Sequence, residues 1–157
     1  GIGEMINEFK INPICLQLEI TKSMIMGNAE ATVMALHRLH DIGVSLAIDD
    51  FGAGHSSSGY LKRFTLDKIK INRALVNDVE DDADDAAIAQ IINNLAKQLN
   101  GRVLAEGVET IMQLEFLQEN SCDVVQSYHF SPPVDAMSFV DWLNNHKTGS
   151  SSLTGTE

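Results

Sequence analysis

Short apolar runs with a period of two alternate along this chain with longer stretches of helical period, and the connections between them are brief. Parallel strands cannot be joined by tight turns and need a crossover, most often a helix. The alternation therefore points to an α/β fold built on a parallel sheet. Ile2, Met5, Ile6 and Phe9 open the chain inside an amphipathic helix. A strand is expected over Ile14 to Ile20, then a helix capped by Asn28 with the stripe Ala31, Ala35, Leu39, Ile42, ended by Gly43. Val44 to Asp49 reads as the next strand, followed by a glycine-rich turn, a short helix from Ser56 to Phe64, and a strand from Lys68 to Asn72. The stripe Ile88, Ile91, Ile92, Leu95, Leu99 marks a helix stopped by Asn100-Gly101. Arg102 to Glu106 is a fourth strand. Thr110 and Gln113 form a capping box for a helix burying Leu114 and Leu117, and Asp123 to Gln126 is a fifth strand. Asp135 caps the last helix, with Ala136, Phe139, Val140 and Leu143 expected inward.

The period of two sorts each strand into faces. Ile14, Leu16, Leu18, Val44, Leu46 and Ile48 would pack on helices, while Gln17, Glu19, Ser45, Ala47 and Asp49 would point inward. The last inward residue of each strand is then Glu19, Asp49, Lys70, Glu106 or Gln126. An open doubly wound sheet satisfies the alternation, but functional side chains converging from several strand ends favour a TIM-type (β/α) barrel. Such a barrel has eight strands and about 250 residues. This chain has 157, so the expectation is an incomplete barrel of about five strands, with further strands before Gly1. Residues 1–147 are read as its ordered part and 148–157 as a disordered polar tail.

Twenty-two acidic against 11 basic residues give a formal charge of −11, which argues against a nonspecific grip on DNA or RNA. A phosphate ligand would need bridging cations. The acidic run from Asp78 to Asp85 lacks the calcium-loop spacing and its central glycine, so it reads as a solvated loop and helix start. Cys15 and Cys122 match no zinc or redox spacing and read as buried thiols of a reducing compartment. With no membrane-length apolar stretch and no signal-peptide pattern, the expected location is cytoplasmic.

Ala47-Ile-Asp-Asp-Phe-Gly-Ala-Gly-His places two adjacent carboxylates at a strand end, an arrangement that serves two divalent metals in phosphodiester hydrolysis. Taken singly, Asp50 is as readily a helix cap, Glu106 and Glu109 are as readily solvated acids, and Lys70 fits a salt bridge or a Schiff-base lysine of a barrel aldolase. His37 and His40 read as surface residues, and His55 as an occasional ligand contact.

Together, Leu18-Glu-Ile-Thr21, Ile48-Asp-Asp-Phe-Gly-Ala-Gly54, Ile69-Lys-Ile71, Leu104-Ala-Glu-Gly-Val-Glu-Thr110 and Cys122-Asp-Val-Val-Gln126 resemble, in order and spacing, the C-terminal part of the EAL-domain family of bacterial cyclic di-GMP phosphodiesterases. The resemblance implies a barrel that binds two Mg²⁺ or Mn²⁺ ions and hydrolyses cyclic di-GMP to a linear dinucleotide. It implies metal ligation by Glu19, Asp49 (shared) and Asp50, contact of Lys70 with the attacking water, positioning of that water by Glu106 and Gln126, and a supporting role for Glu109.

The family's Glu-Ala-Leu strand and the asparagine-bearing strand after it would precede Gly1, so this chain alone is expected to be inactive. Lys22 stands where the family usually has a glutamate, Asn72 where it has an aspartate, and Ser127 where glycine is common. These departures keep open a noncatalytic cyclic di-GMP receptor or dimerisation module. A homodimer or swapped oligomer would cover the open barrel edge.

Overall fold

Each of the five strands pairs in parallel with the next: β1 (Gln17–Thr21), β2 (Ser45–Phe51), β3 (Lys68–Ile71), β4 (Arg102–Glu106) and β5 (Val124–Gln126). They belong to a computed structural model that describes residues 1–21, 24, 29–52, 65–128 and 130–146. Their spatial order is the order of the chain. A doubly wound sheet reverses its order at a switch point. The described strands contain no such reversal, so the topology is that of an incomplete TIM-type barrel.

Helices α1 (Ile2–Phe9), α2 (Ala29–Asp41), α3 (Arg73–Asp78), α4 (Ala83–Gln98), α5 (Ile111–Glu119) and α6 (Ala136–His146) lie between and beside the strands. The core forms where Leu46, Ile48, Ile69, Ile71, Val103 and Ala105 meet Leu36, Val76, Ala89, Ile92, Ala96 and Leu117. Each fully buried Leu or Ile there contributes roughly 1.5–3 kcal/mol. Register keeps like with like, since Ile48 pairs with Ile69 and Ile69 with Val103.

Several sequence expectations need correction. Ile14 belongs to a 3-10 turn, Pro13–Cys15, and is 75% exposed. Pro13 fixes its φ in the first turn, and the Asn12 side chain accepts the Ile14 N–H, so the chain turns before it extends. Cys15 is accordingly exposed, and Cys122 is only partly buried. Burial pushes the Cys122 thiol above its ordinary pKa.

The helix stripes are rotated from their expected faces. On α2 the buried residue is Leu36, with Val33 and Leu39 packed against the core, whereas Ala31 and Ala35 are exposed. The bulkier side chains gain more from burial than alanine does. On α4 the inner line is Ala89, Ile92, Asn93 and Ala96. The two alanines bring the helix backbone close to the sheet, and this turns Ile88 and Ile91 outward. Met5 and Phe9 of α1, and Phe139, Val140 and Leu143 of α6, are exposed. Their pattern specifies a helix but not a partner for its apolar face, and within α6 Phe139 stacks on Trp142.

The caps follow the sequence. Asp82 accepts the N–H groups of Asp84 and Asp85 at the start of α4, Thr110 and Gln113 cap α5 reciprocally, and Asp135 accepts the Met137 and Ser138 N–H groups ahead of α6. These backbone and hydroxyl donors hold the Asp135 carboxyl below its ordinary pKa. The expected Asn28 cap, the helix from Ser56 to Phe64 and the polar tail lie outside the described residues.

Candidate functional site

The pairing of β2 with β3 contains an irregularity that determines the rim. Register runs Ala47 to Lys68 and Ile48 to Ile69, then resumes at Phe51 to Ile71, so Asp49 and Asp50 together stand opposite Lys70. Regular alternation would turn Asp50 toward the helices when Asp49 faces inward. A bulge re-aims the extra residue. Asp50 takes a left-handed conformation, φ 55°, and Phe51 returns to the helix side, where it is buried. Holding an aspartate in that region costs on the order of 1 kcal/mol.

Asn72 offsets part of that cost. Its N–H donates to the Phe51 carbonyl at 3.1 Å, and its side-chain oxygen accepts the Ala74 N–H at 2.7 Å as the N-cap of α3. The cap fixes the amide orientation, so Nδ2 donates to Asp50 Oδ1 at 2.8 Å. Asn72 is therefore more than the loss of a negative charge: it supplies a hydrogen-bond donor that an aspartate would lack.

At the centre is Lys70, whose side chain is 7% exposed. Its ammonium lies 2.8 Å from Glu19 Oε2, 2.9 Å from Asp49 Oδ1 and 2.7 Å from Glu106 Oε1. Burial alone would push the lysine pKa down, but the negative Asp49, Glu106 and Glu19 carboxylates packed around it outweigh that and hold the ammonium above its ordinary value. A Schiff-base lysine must reach a neutral state. Lys70, held protonated on three sides, is unsuited to that chemistry, which removes the aldolase alternative.

Carboxylate oxygens of Asp49, Asp50 and Glu106 all lie within 4.8 Å of one another. Asp49 Oδ1 is buried and close to Lys70, but its alignment with the ammonium falls short of a hydrogen bond. Clustered carboxylate oxygens, one of them buried without a hydrogen bond, suit a hard divalent cation. The donor set fits such an ion.

Gln126 is exposed at the end of β5, in register with Glu106, and its carbonyl accepts the Gly107 N–H at 2.9 Å. Both side chains open on a cleft of about 430 Å³, lined also by Arg73, Gly107 and Tyr128. Glu109 stands apart from the carboxylate cluster and forms an ion pair with Arg73. Ser127 donates its hydroxyl to the Val108 carbonyl. Lys22 and His55 lie outside the described residues.

The sheet thus brings Glu19, Asp49, Asp50, Lys70 and Glu106 together, with Gln126 beside Glu106 and Glu109 across from Arg73. Sequence reasoning passed over Arg73. Its signal was available: it follows the strand-end Asn72 at the first position of α3, just beyond the same rim as Lys70.

A family model described as the EAL domain matches residues 2–133. The chain is 44% identical over 132 residues to the cyclic di-GMP phosphodiesterase NbdA of Pseudomonas aeruginosa, covering 84% of this chain and 17% of that protein. Among solved structures, the PaMucR phosphodiesterase in a c-di-GMP complex is similar with a TM-score of 0.82 and 38% identity, over 88% of this chain and 56% of that one. A manganese and cyclic di-GMP complex of Klebsiella pneumoniae BlrP1 gives a TM-score of 0.74 and 31% identity, over 81% of this chain and 33% of that one. The sequential parallel sheet, the acid cluster around Lys70 and these likenesses agree: this chain belongs to the EAL-domain family.

Proposed function

We propose that the protein carrying this chain is a cyclic di-GMP phosphodiesterase that hydrolyses one phosphodiester in line to give a linear dinucleotide, using divalent Mg²⁺ or Mn²⁺. The observation that carries this reading is the group of Asp49, Asp50 and Glu106 oxygens within 4.8 Å of one another beside the protonated Lys70. Asp49 and Asp50 would hold the cations, with Glu19 and Glu106 completing the acidic wall. When bound, the metals lower the pKa of water and neutralise charge developing on the phosphoryl group.

The chain's own residues then have separable tasks. Lys70 acts as a hydrogen-bond donor and not as a base, and orients the attacking water. Glu106 accepts from that water, and the Gln126 amide, at the mouth of the same cleft, limits its orientation. Glu109 plays its supporting part by holding Arg73 at the edge of the same cleft. The test is Mg²⁺- or Mn²⁺-dependent conversion of cyclic di-GMP to linear dinucleotide by the full-length protein. Absence of turnover with either metal, or unchanged turnover in D49N, overturns the reading.

A second reading, a noncatalytic cyclic di-GMP receptor, is favoured by one observation, the Asn72 amide that occupies Asp50 Oδ1. Calorimetry separates the two, because binding without turnover selects the receptor. Light scattering tests the homodimer that either reading permits.

A further inference from the structure

A cyclic dinucleotide carries two phosphates, and the carboxylate rim can address only one of them through cations. The other phosphate can pair with a cation of the protein itself, and a chain whose formal charge is −11 offers few. Among the described residues few are placed for this. Lys10, Arg38, Lys97 and Arg102 lie where helices hand over to strands, at the opposite end of the sheet. Lys68, the first residue of β3, donates to Gln17 Oε1 at 2.7 Å, and Lys70 is engaged by three carboxylates.

Arg73 is different. Its side chain is 56% exposed, and it lines the cleft of about 430 Å³ that also contains Glu106 and Gln126, so it shares an opening with the acidic rim. Its course depends on a glycine. A Cβ at Gly107, where φ is 71°, would lie 2.3 Å from Arg73 Cγ and 2.7 Å from Cδ. The Arg73 stem therefore crosses over the Gly107 backbone, where no other residue would let it pass. At the far side Glu109 pairs with one Nη, while the backbone N–H of Glu109 is held by Gln113 Oε1 at 2.7 Å. The Glu109 backbone is thus tied to the capping box of α5, which places its carboxylate beside the guanidinium. A guanidinium has five donors in a planar fork, and this pairing leaves others for a second anion.

Resting on the function proposed above, we infer that Arg73 binds the phosphate of the cyclic dinucleotide that is not being cleaved, and that Glu109 is a positioning residue acting through Arg73. Gly107 provides the clearance that both require. The Arg73 fork donates to the phosphate oxygens, and no proton or bond is exchanged.

The test is equilibrium binding of cyclic di-GMP with Ca²⁺, on the full-length protein and on R73Q, R73K, E109Q and R73Q/E109Q, with ³¹P spectra of the bound ligand. R73Q should weaken binding about 10- to 100-fold, the range expected for loss of charge-assisted hydrogen bonds. R73K should recover part of this. E109Q should cost less, about 3- to 10-fold, and add nothing in the R73Q background, since a residue that acts only through another is not additive with it. One bound ³¹P resonance should move between the protein and R73Q. Undiminished binding in R73Q overturns the inference while leaving the phosphodiesterase reading intact. Weaker binding with unmoved ³¹P resonances overturns it too, since the contact would then be to a base. Full additivity of E109Q with R73Q overturns the role of Glu109. If the unsubstituted protein binds no cyclic di-GMP, both readings fall together.

Discussion

The two ends of this sheet use acidic residues in opposite ways. At the end where strands begin, Asp67 accepts the Leu46 N–H at 2.7 Å and Asp123 accepts the Val103 N–H at 2.7 Å. The arrangement repeats: an aspartate just before one strand satisfies the second residue of the strand preceding it in the chain. Where strands end, Asp49, Asp50 and Glu106 have few backbone partners and face one another across Lys70. The same side chain is structural when it meets an orphan N–H, and reactive when it meets other carboxylates and a single cation. Adjacent like charges are unfavourable unless something positive sits among them, so the folded rim is primed for cations while the opposite end is satisfied without them.

The sharpest way to break this comparison is to remove the central cation. Lys70→Met should leave a cluster of carboxylates uncompensated and lower stability by about 3 kcal/mol, the lower part of the range for breaking a buried pair. Thermal melting measures it, and added Mg²⁺ should recover part of the loss because a divalent ion can replace the missing charge. The sign of the pH dependence is set by the direction of the lysine shift. A folded-state pKa above the ordinary value means the contribution is complete below about pH 10.4 and lost only as pH rises through the folded value. The melting difference between the protein and K70M should therefore stay constant from about pH 7 to about pH 10.

At the opposite end, Asp123→Ala should cost about 1–2 kcal/mol, because it orphans the N–H of Val103, a residue 1% exposed. Mn²⁺ affinity of the folded protein should not change. D49N should do the reverse, holding stability and lowering Mn²⁺ affinity by roughly a hundredfold or more. If calorimetry shows the two substitutions behaving alike, the division between the ends fails.

Asn72 belongs to both regimes, and a serine divides them. N72S keeps an oxygen for the α3 cap and loses the donor to Asp50. Its stability should fall by less than about 1 kcal/mol, and Mn²⁺ titration should show weaker binding. The smallest effect belongs to α6. Met137→Ser, at a side chain 81% exposed, should shift stability by no more than about 0.5 kcal/mol. A larger loss in urea unfolding would mean that the apolar face of α6 is covered in solution.

The strands and the inventory of the rim were legible in the sequence because period two is local. Arg102–Glu106 was placed to the residue, and Glu19, Asp49, Lys70 and Glu106 did converge. What was illegible depended on partners. Ile88 and Ile91 extend an apolar stripe as well as Ile92 does, and only the approach of α4 to the sheet decides which is buried. The Arg73–Glu109 pair spans two elements far apart in the chain, and its route exists because Gly107 has no side chain. Asn72 looked like a missing charge because a sequence does not show which way an amide points.

The bulge at Asp49 and Asp50 makes the chain through β2 behave like a reading frame. Deleting Asp50 would leave a regular strand in which Asp49 still faces inward and Phe51 still reaches the core against Ile71. The second carboxylate is thus an insertion that leaves the packing on both sides in phase. A chain without Asp50 would therefore present one acid from β2 to the rim where this one presents two, with Ile48 and Phe51 still facing the same core.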